Sequence, residues 1–224
     1  MTGTGTAALD EERGGLEELR RLLSDDPTAG SPPDDSTLRR FLVARKGDAG
    51  KAAKMYAAFA EYRRRVPLGS ISEDDVCVGL AHKKTFFLPG ADRDGSPCFM
   101  TVMRRHIVSE CPEGEAERYT EFSFQRVVAR LEREGREQTV FIFDFDDFGW
   151  ENLDTKTAAA ILRQAQDYHP ERLKKAILYK VSPVPPPSHP YLILSYLSLS
   201  HHKVLLTRRG LFHRPHCSSG RCGS

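Results

Sequence analysis

Leu16, Leu19, Leu22 and Leu23 recur at the spacing of one helix face and predict a short helix over residues 9–23. Gly14 and Gly15 weaken its start, because glycine loses the most backbone freedom on ordering. Residues 24–33 are rich in Asp, Pro, Gly and Ser and read as a linker. A second helix starts where Asp35 or Ser36 can accept hydrogen bonds from the free N–H groups of a first turn. It carries Leu38, Phe41 and Leu42 inward and ends at Gly47. Asp48 caps a third helix, with Ala52, Met55, Tyr56, Phe59 and Tyr62 on one face and Pro67 closing it. A fourth helical stretch lies between Pro112 and Gly135, with an apolar stripe through Tyr119, Phe122, Val127 and Leu131.

Strands come later. Residues 97–102 follow the turn Asp92-Arg93-Asp94-Gly95 and form the expected first strand. Residues 139–145 (TVFIFDF) are a nearly continuous run of β-branched and aromatic side chains, as in a strand covered on both faces. Asp154 caps a helix that turns Ala158, Ile161, Leu162 and Ala165 inward, and residues 175–181 (KAILYKV) make the next strand. Strand, helix, strand over some 40 residues is a βαβ unit with parallel strands and a right-handed crossover.

After residue 181 the pattern is lost. Residues 181–190 (VSPVPPPSHP) hold five prolines, none of which can donate to a sheet ladder. No Asp or Glu follows Glu171, whereas Lys203, Arg208, Arg209, Arg214 and Arg221 do. Apolar residues at 39% and charged residues at 29% are those of a globular chain, and a net charge of +2 gives no reason to invoke nucleic acid. Residues 1–15 lack the apolar core of a secretory signal, and the run at 191–199 is far shorter than the ~20 residues of a membrane-spanning helix. The five scattered cysteines read as reduced thiols, so the expected location is cytoplasmic.

Residues 34–46 (DDSTLRRFLVARK), with the helix ending Tyr62-Arg63-Arg64, resemble the N-terminal helical region of CRAL-TRIO lipid-binding proteins. The nearest branch is that of the phosphatidylinositol and phosphatidylcholine transfer proteins. The likeness resumes at 92–97 (DRDGSP), runs through 139–149, and is strongest at 166–175 (QDYHPERLKK). It implies a mixed α/β sheet flanked by helices, with an all-helical N-terminal subregion. It also implies a division of the chain: a flexible segment with a short helix at 1–33, the helical region at 34–69, and a partial lipid-binding domain at 70–180. The family pattern continues past such a strand with more helices, another strand and a mobile gate helix, for which residues 181–224 offer no match. The last part of the domain is therefore expected to be missing, the tail to be unrelated and disordered, and lipid transfer by this chain to be impaired. A translated intron, a frame shift or a splice variant would produce such a tail.

The resemblance implies a phospholipid ligand of the phosphatidylinositol type, transient contact with a membrane surface, no cofactor and no catalytic residue. It places Glu171 beside an inositol headgroup, where a carboxylate can accept from hydroxyls. The plainer reading is a glutamate favoured by a helix dipole. Arg45 and Lys46 match a basic pair around phosphoinositide recognition, although two cations ending a helix need no ligand. Thr139 matches one of two hydroxyl residues that contact phosphocholine. Its companion position is Phe141, which has no hydroxyl, and a β-branched strand residue is the simpler account of Thr139.

Two other chemistries remain open. Asp144 and Asp146 end an apolar strand, as in haloacid dehalogenase phosphatases, where one carboxylate attacks phosphorus and the other moves the proton. Phe148 stands where that motif wants Thr or Val. His213, His216, Cys217 and Cys222 could supply zinc ligands, at no familiar spacing. A non-catalytic protein-interaction module is the further alternative, with the proline-rich run at 184–187 docking an aromatic groove.

Overall fold

The computed structural model describes residues 3–26, 33–181 and 203–208. Six α-helices and five strands occur among them: α1 (Gly3–Ser24), α2 (Asp35–Ala44), α3 (Ala49–Arg65), α4 (Cys77–Ala81), β1 (Thr85–Ala91), β2 (Pro97–Val102), α5 (Glu115–Arg133), β3 (Thr139–Asp144), α6 (Thr155–Tyr168), β4 (Leu173–Val181) and β5 (Lys203–Arg208).

The helical subregion is built from the leucine spacing. Leu16, Leu19 and Leu23 of α1 are buried with Leu38, Phe41 and Leu42 of α2 and Ala52, Met55 and Tyr56 of α3 in one core. Asp34 caps α2 by accepting from the Thr37 N–H at 2.8 Å, and Asp48 caps α3 through Lys51 at 2.9 Å. The cap of α2 thus lies just ahead of Asp35 and Ser36. α1 is longer than the expected 9–23 and packs on both α2 and α3, so this stretch of the N-terminal segment is part of the folded core. Gly15 lies where α2 comes close: a Cβ there would meet the Leu42 side chain at 2.9 Å, whereas Gly14 faces open space.

The sheet runs in sequence order, β1-β2-β3-β4-β5. β1 and β2 form an antiparallel hairpin, and the pairs β2/β3, β3/β4 and β4/β5 are parallel. The turn at 92–95 is held by Asp92 Oδ1, which accepts from the N–H groups of Asp94 and Ser96. Lys174 Nζ then ties it to β4 through Asp92 and Asp94, each at 2.7 Å. Gly95 has φ +81°, a conformation that side-chain-bearing residues rarely adopt.

Two expectations need correction. The strand at 97–102 is the second, because Thr85–Ala91 precedes it as β1. Residues after 181 do return to the sheet: Lys203–Arg208 pairs along β4, with Val204 opposite Ala176 and Leu206 opposite Leu178. The remainder of 182–224, including the candidate zinc ligands and the proline-rich run, lies outside the described residues.

Right-handed crossovers between parallel strands in sequential order put α5 and α6 on one face of the sheet. Register aligns Phe87, Phe99, Phe141 and Ala176 in one row across that sheet and Thr85, Thr101, Phe143 and Leu178 in the next. Val127 and Leu131 of α5 pack on Phe99 and Phe141, and Leu162 of α6 packs with Ala176 and Leu178. The helical subregion joins this body through α3 against α6.

Candidate functional site

Between the sheet and its helices lies a cavity of about 440 Å³. Its floor is Phe99, Thr101, Phe141 and Phe143; α5 contributes Tyr119, Ser123 and Phe124; α6 contributes Ala158, Ile161, Leu162 and Ala165. The alternation of β2 and β3 explains the floor, since residues two apart share a face. The 3.6-residue period explains the α6 wall, whose predicted inner face is the lining face.

The end of α2 and the turn at 169–172 complete the wall. Arg45, Lys46 and Glu171 all line the cavity. Arg45 also donates to the Ala44 carbonyl at 3.1 Å, so one cation serves the helix terminus as well. Lys46 and Glu171 both have positive φ, +55° and +59°, which sets them at sharp chain reversals. Gln138 Nε2 donates to the Glu171 carbonyl at 3.1 Å and Arg172 donates to the Glu137 carbonyl at 3.1 Å, pinning the turn beside β3. Glu171 therefore sits in a turn leading into β4, not in a helix's first turn.

Thr139 is placed differently. It is fully buried, it does not line the cavity, and its hydroxyl donates to the Pro97 carbonyl at 2.7 Å. It ties β3 to β2, which leaves no free proton for a headgroup. Phe141, by contrast, does face the cavity.

Asp144 and Asp146 stand at the far end of β3. Asp144 Oδ1 accepts from the Asp146 N–H at 3.0 Å, and Arg104 lies 3.5 Å from its other oxygen. Asp146 pairs with Lys180 at 2.8 Å. Both carboxylates are thus held by protein cations, and among the described residues no group of His, Cys, Asp and Glu is arranged to hold a metal ion.

The most elaborate polar group went unforeseen. Glu121, 1% exposed in mid-α5, accepts from Arg63 at 2.6 Å, Gln164 at 2.8 Å, Gln125 at 3.0 Å and His169 at 3.0 Å. Burial alone would raise the Glu121 carboxyl, but the hydrogen bond from His169 and the charge and hydrogen bond of Arg63 outweigh it and hold the group well below the carboxylate range. Burial pushes His169 down from its ordinary value, against the pull of Glu121. His169 is therefore neutral at pH 7 and gives its Nε2–H to the ionised carboxylate. Its ring stacks on Phe124 at 4.4 Å, and Tyr62 stacks on Tyr168 at 3.8 Å. A glutamate between Tyr119 and Phe122 on an amphipathic helix was the available signal, and only the tertiary partners reveal its burial.

Residues 81–188 match the model of the CRAL/TRIO domain. Over that stretch the chain matches the CRAL-TRIO family. It is 27% identical over 172 residues to a CRAL-TRIO domain-containing protein of Schizosaccharomyces pombe, covering 73% of this chain and 38% of the relative. It is 25% identical over 198 residues to the phosphatidylinositol transfer protein CSR1 of Eremothecium gossypii, covering 77% of this chain and 44% of that protein. The chain thus spans less than half the length of these curated relatives. The crystal structure of Sfh5 superposes with a TM-score of 0.64 at 10% identity over 88% of this chain and 80% of that one, which supports the CRAL-TRIO fold. Among the described residues no helix is long and apolar enough to cross a membrane. At the level of the family, lipid binding is the function such a domain serves.

Proposed function

We propose that this CRAL-TRIO domain takes up one phospholipid of the phosphatidylinositol type, shields its acyl chains in the cavity, and carries it between membrane surfaces. The observation that carries this reading is the cavity itself, with its phenylalanine floor and with Arg45, Lys46 and Glu171 on its wall. Each methylene withdrawn from water into such a space contributes ~0.8 kcal/mol. Phosphate would be met by Arg45 and Lys46, and inositol hydroxyls by Glu171. The name of the CSR1 relative supports that headgroup class. Phe141 on the floor removes a hydroxyl where a choline phosphate would need one, which argues against phosphatidylcholine as the preferred ligand. No bond is made or broken in this process.

Equilibration with mixed vesicles, followed by mass analysis of the lipid retained on the protein, tests it. Phosphatidylinositol should be recovered bound, and Glu171→Ala should lower its share. The single-charge change Arg45→Ala should weaken it by about tenfold, the worth of one charge-assisted contact. Recovery of protein without lipid would refute the proposal. A fluorescent phosphatidylinositol moving between vesicle populations tests the transport half.

A further inference from the structure

The cavity has a second polar end. Thr85 lies in register with Thr101, Phe143 and Leu178, whereas Glu171 precedes Leu173 at the start of β4. Five residue steps lead from Leu173 to Leu178, roughly 16 Å at ~3.3 Å each. Glu171 and Thr85 thus mark opposite ends of the floor. At the Thr85 end stands Lys84, which lines the cavity and is only 6% exposed. Its ammonium lies 4.5 Å from the Tyr119 ring centre, and among the described residues no carboxylate is within ion-pair distance of it.

Hydroxyls gather beside it. Tyr119 and Thr85 share a hydrogen bond at 2.6 Å, and Ser123 lies 3.4 Å from Thr85. The Tyr119 ring is fixed in place, because α4 passes so close that a Cβ on Gly79 would fall 2.3 Å from it. A buried cation facing a cavity is costly unless an anion answers it. The other charged candidate is Glu115, buried on the first turn of α5. One of its oxygens accepts from the Gly79 N–H at 2.9 Å, and the other has no hydrogen-bond partner. Glu115 and the Cys111 thiol act on Lys84 only through space, and burial remains the larger influence, lowering the lysine.

We propose that Lys84, with the Thr85, Tyr119 and Ser123 hydroxyls around it, is an internal anion site that selects lipids with an acidic oxygen head, phosphate or carboxylate, over choline lipids. The ammonium attracts the acidic group and the hydroxyls donate to it. A quaternary ammonium entering the same end would meet a like charge. This rests on the lipid-cavity reading and adds a second seat to it: an acidic head other than inositol phosphate would enter at the Lys84 end, opposite the Arg45, Lys46 and Glu171 wall. The competing account is that Lys84 serves only as a distant counter-charge to Glu115.

The full 224-residue chain would be equilibrated with vesicles of phosphatidylcholine mixed with phosphatidate, and separately with oleate, and the retained lipid counted by mass spectrometry. Wild type should enrich the acidic lipid, and phosphatidate against oleate distinguishes a phosphate head from a carboxylate. Lys84→Met should reduce that enrichment about tenfold, while Lys84→Arg keeps it. Thr85→Val, a smaller change, should reduce it in the same direction and serves if Lys84→Met fails to fold. Lipid loading by wild type with an unchanged acid-to-choline ratio in Lys84→Met, or in Thr85→Val where that is the variant available, would overturn the anion site and leave the cavity reading standing. No lipid on wild type would overturn both.

Discussion

Glu121 gathers four donors from α3, α5, α6 and the turn at 169, and this concentration makes it the most consequential side chain for stability. Glu121→Ala should destabilise the protein by ~3–5 kcal/mol in urea unfolding, because it strands the buried His169 and the Arg63 guanidinium. The pair also sets the acid limit. His169 is neutral in the native state, while the unfolded chain takes up its proton near the ordinary 6.5. Stability should therefore start to fall as pH drops below about 6.5. Glu121 adds a second loss as pH falls below its ordinary 4.5 towards its depressed native value. Melting temperature followed from pH 8 down to 4 checks the order, and His169→Gln should flatten only the upper part of that decline. Thr139→Val tests a different assignment. It should cost ~1–3 kcal/mol by leaving the buried Pro97 carbonyl unanswered, and leave lipid selection untouched.

At the level of elements, α1 is the helix expected over 9–23, and its greater length and its packing on α2 and α3 change the picture. Leu19 is completely buried against α2 and α3. Leu19→Ala should cost ~2–5 kcal/mol in chemical denaturation. Amphipathic elements were legible because burial and period agree: Leu38, Phe41 and Leu42 face inward as their spacing requires. β3 and β4 were legible because unbroken apolar runs have few other uses. β1 was not, since Phe86 on it is exposed and Pro89 and Gly90 interrupt its pairing with β2. Phe122 misled in a smaller way. Phe124, two positions on, lines the cavity and Phe122 does not, because the buried face of this helix is broadened by Glu121 and Ser123. β5 was invisible for a related reason: residues 203–208 are short and basic at both ends, and only pairing with β4 identifies them as a strand. Within the site, Arg45, Lys46 and Glu171 were found through motif likeness, whereas Lys84 offers no pattern in the chain beyond a lysine next to a strand.

For the whole molecule, the contact between the helical subregion and the cavity is the feature with the longest reach. His169 lines the cavity and bonds Glu121; Glu121 holds Arg63; and Tyr62, beside it on α3, stacks on Tyr168 of α6. The same few atoms thus serve as pocket wall and as hinge pin between the N-terminal helices and the rest. Opening α3 alone would tear the wall, so both regions should exchange their amide hydrogens as one cooperative unit. An occupant of the cavity would slow that exchange in α3 as well as beside itself, since whatever binds only the closed state holds closed everything that must open with it. A loaded protein would then advertise its cargo through the stiffness of helices that never touch it.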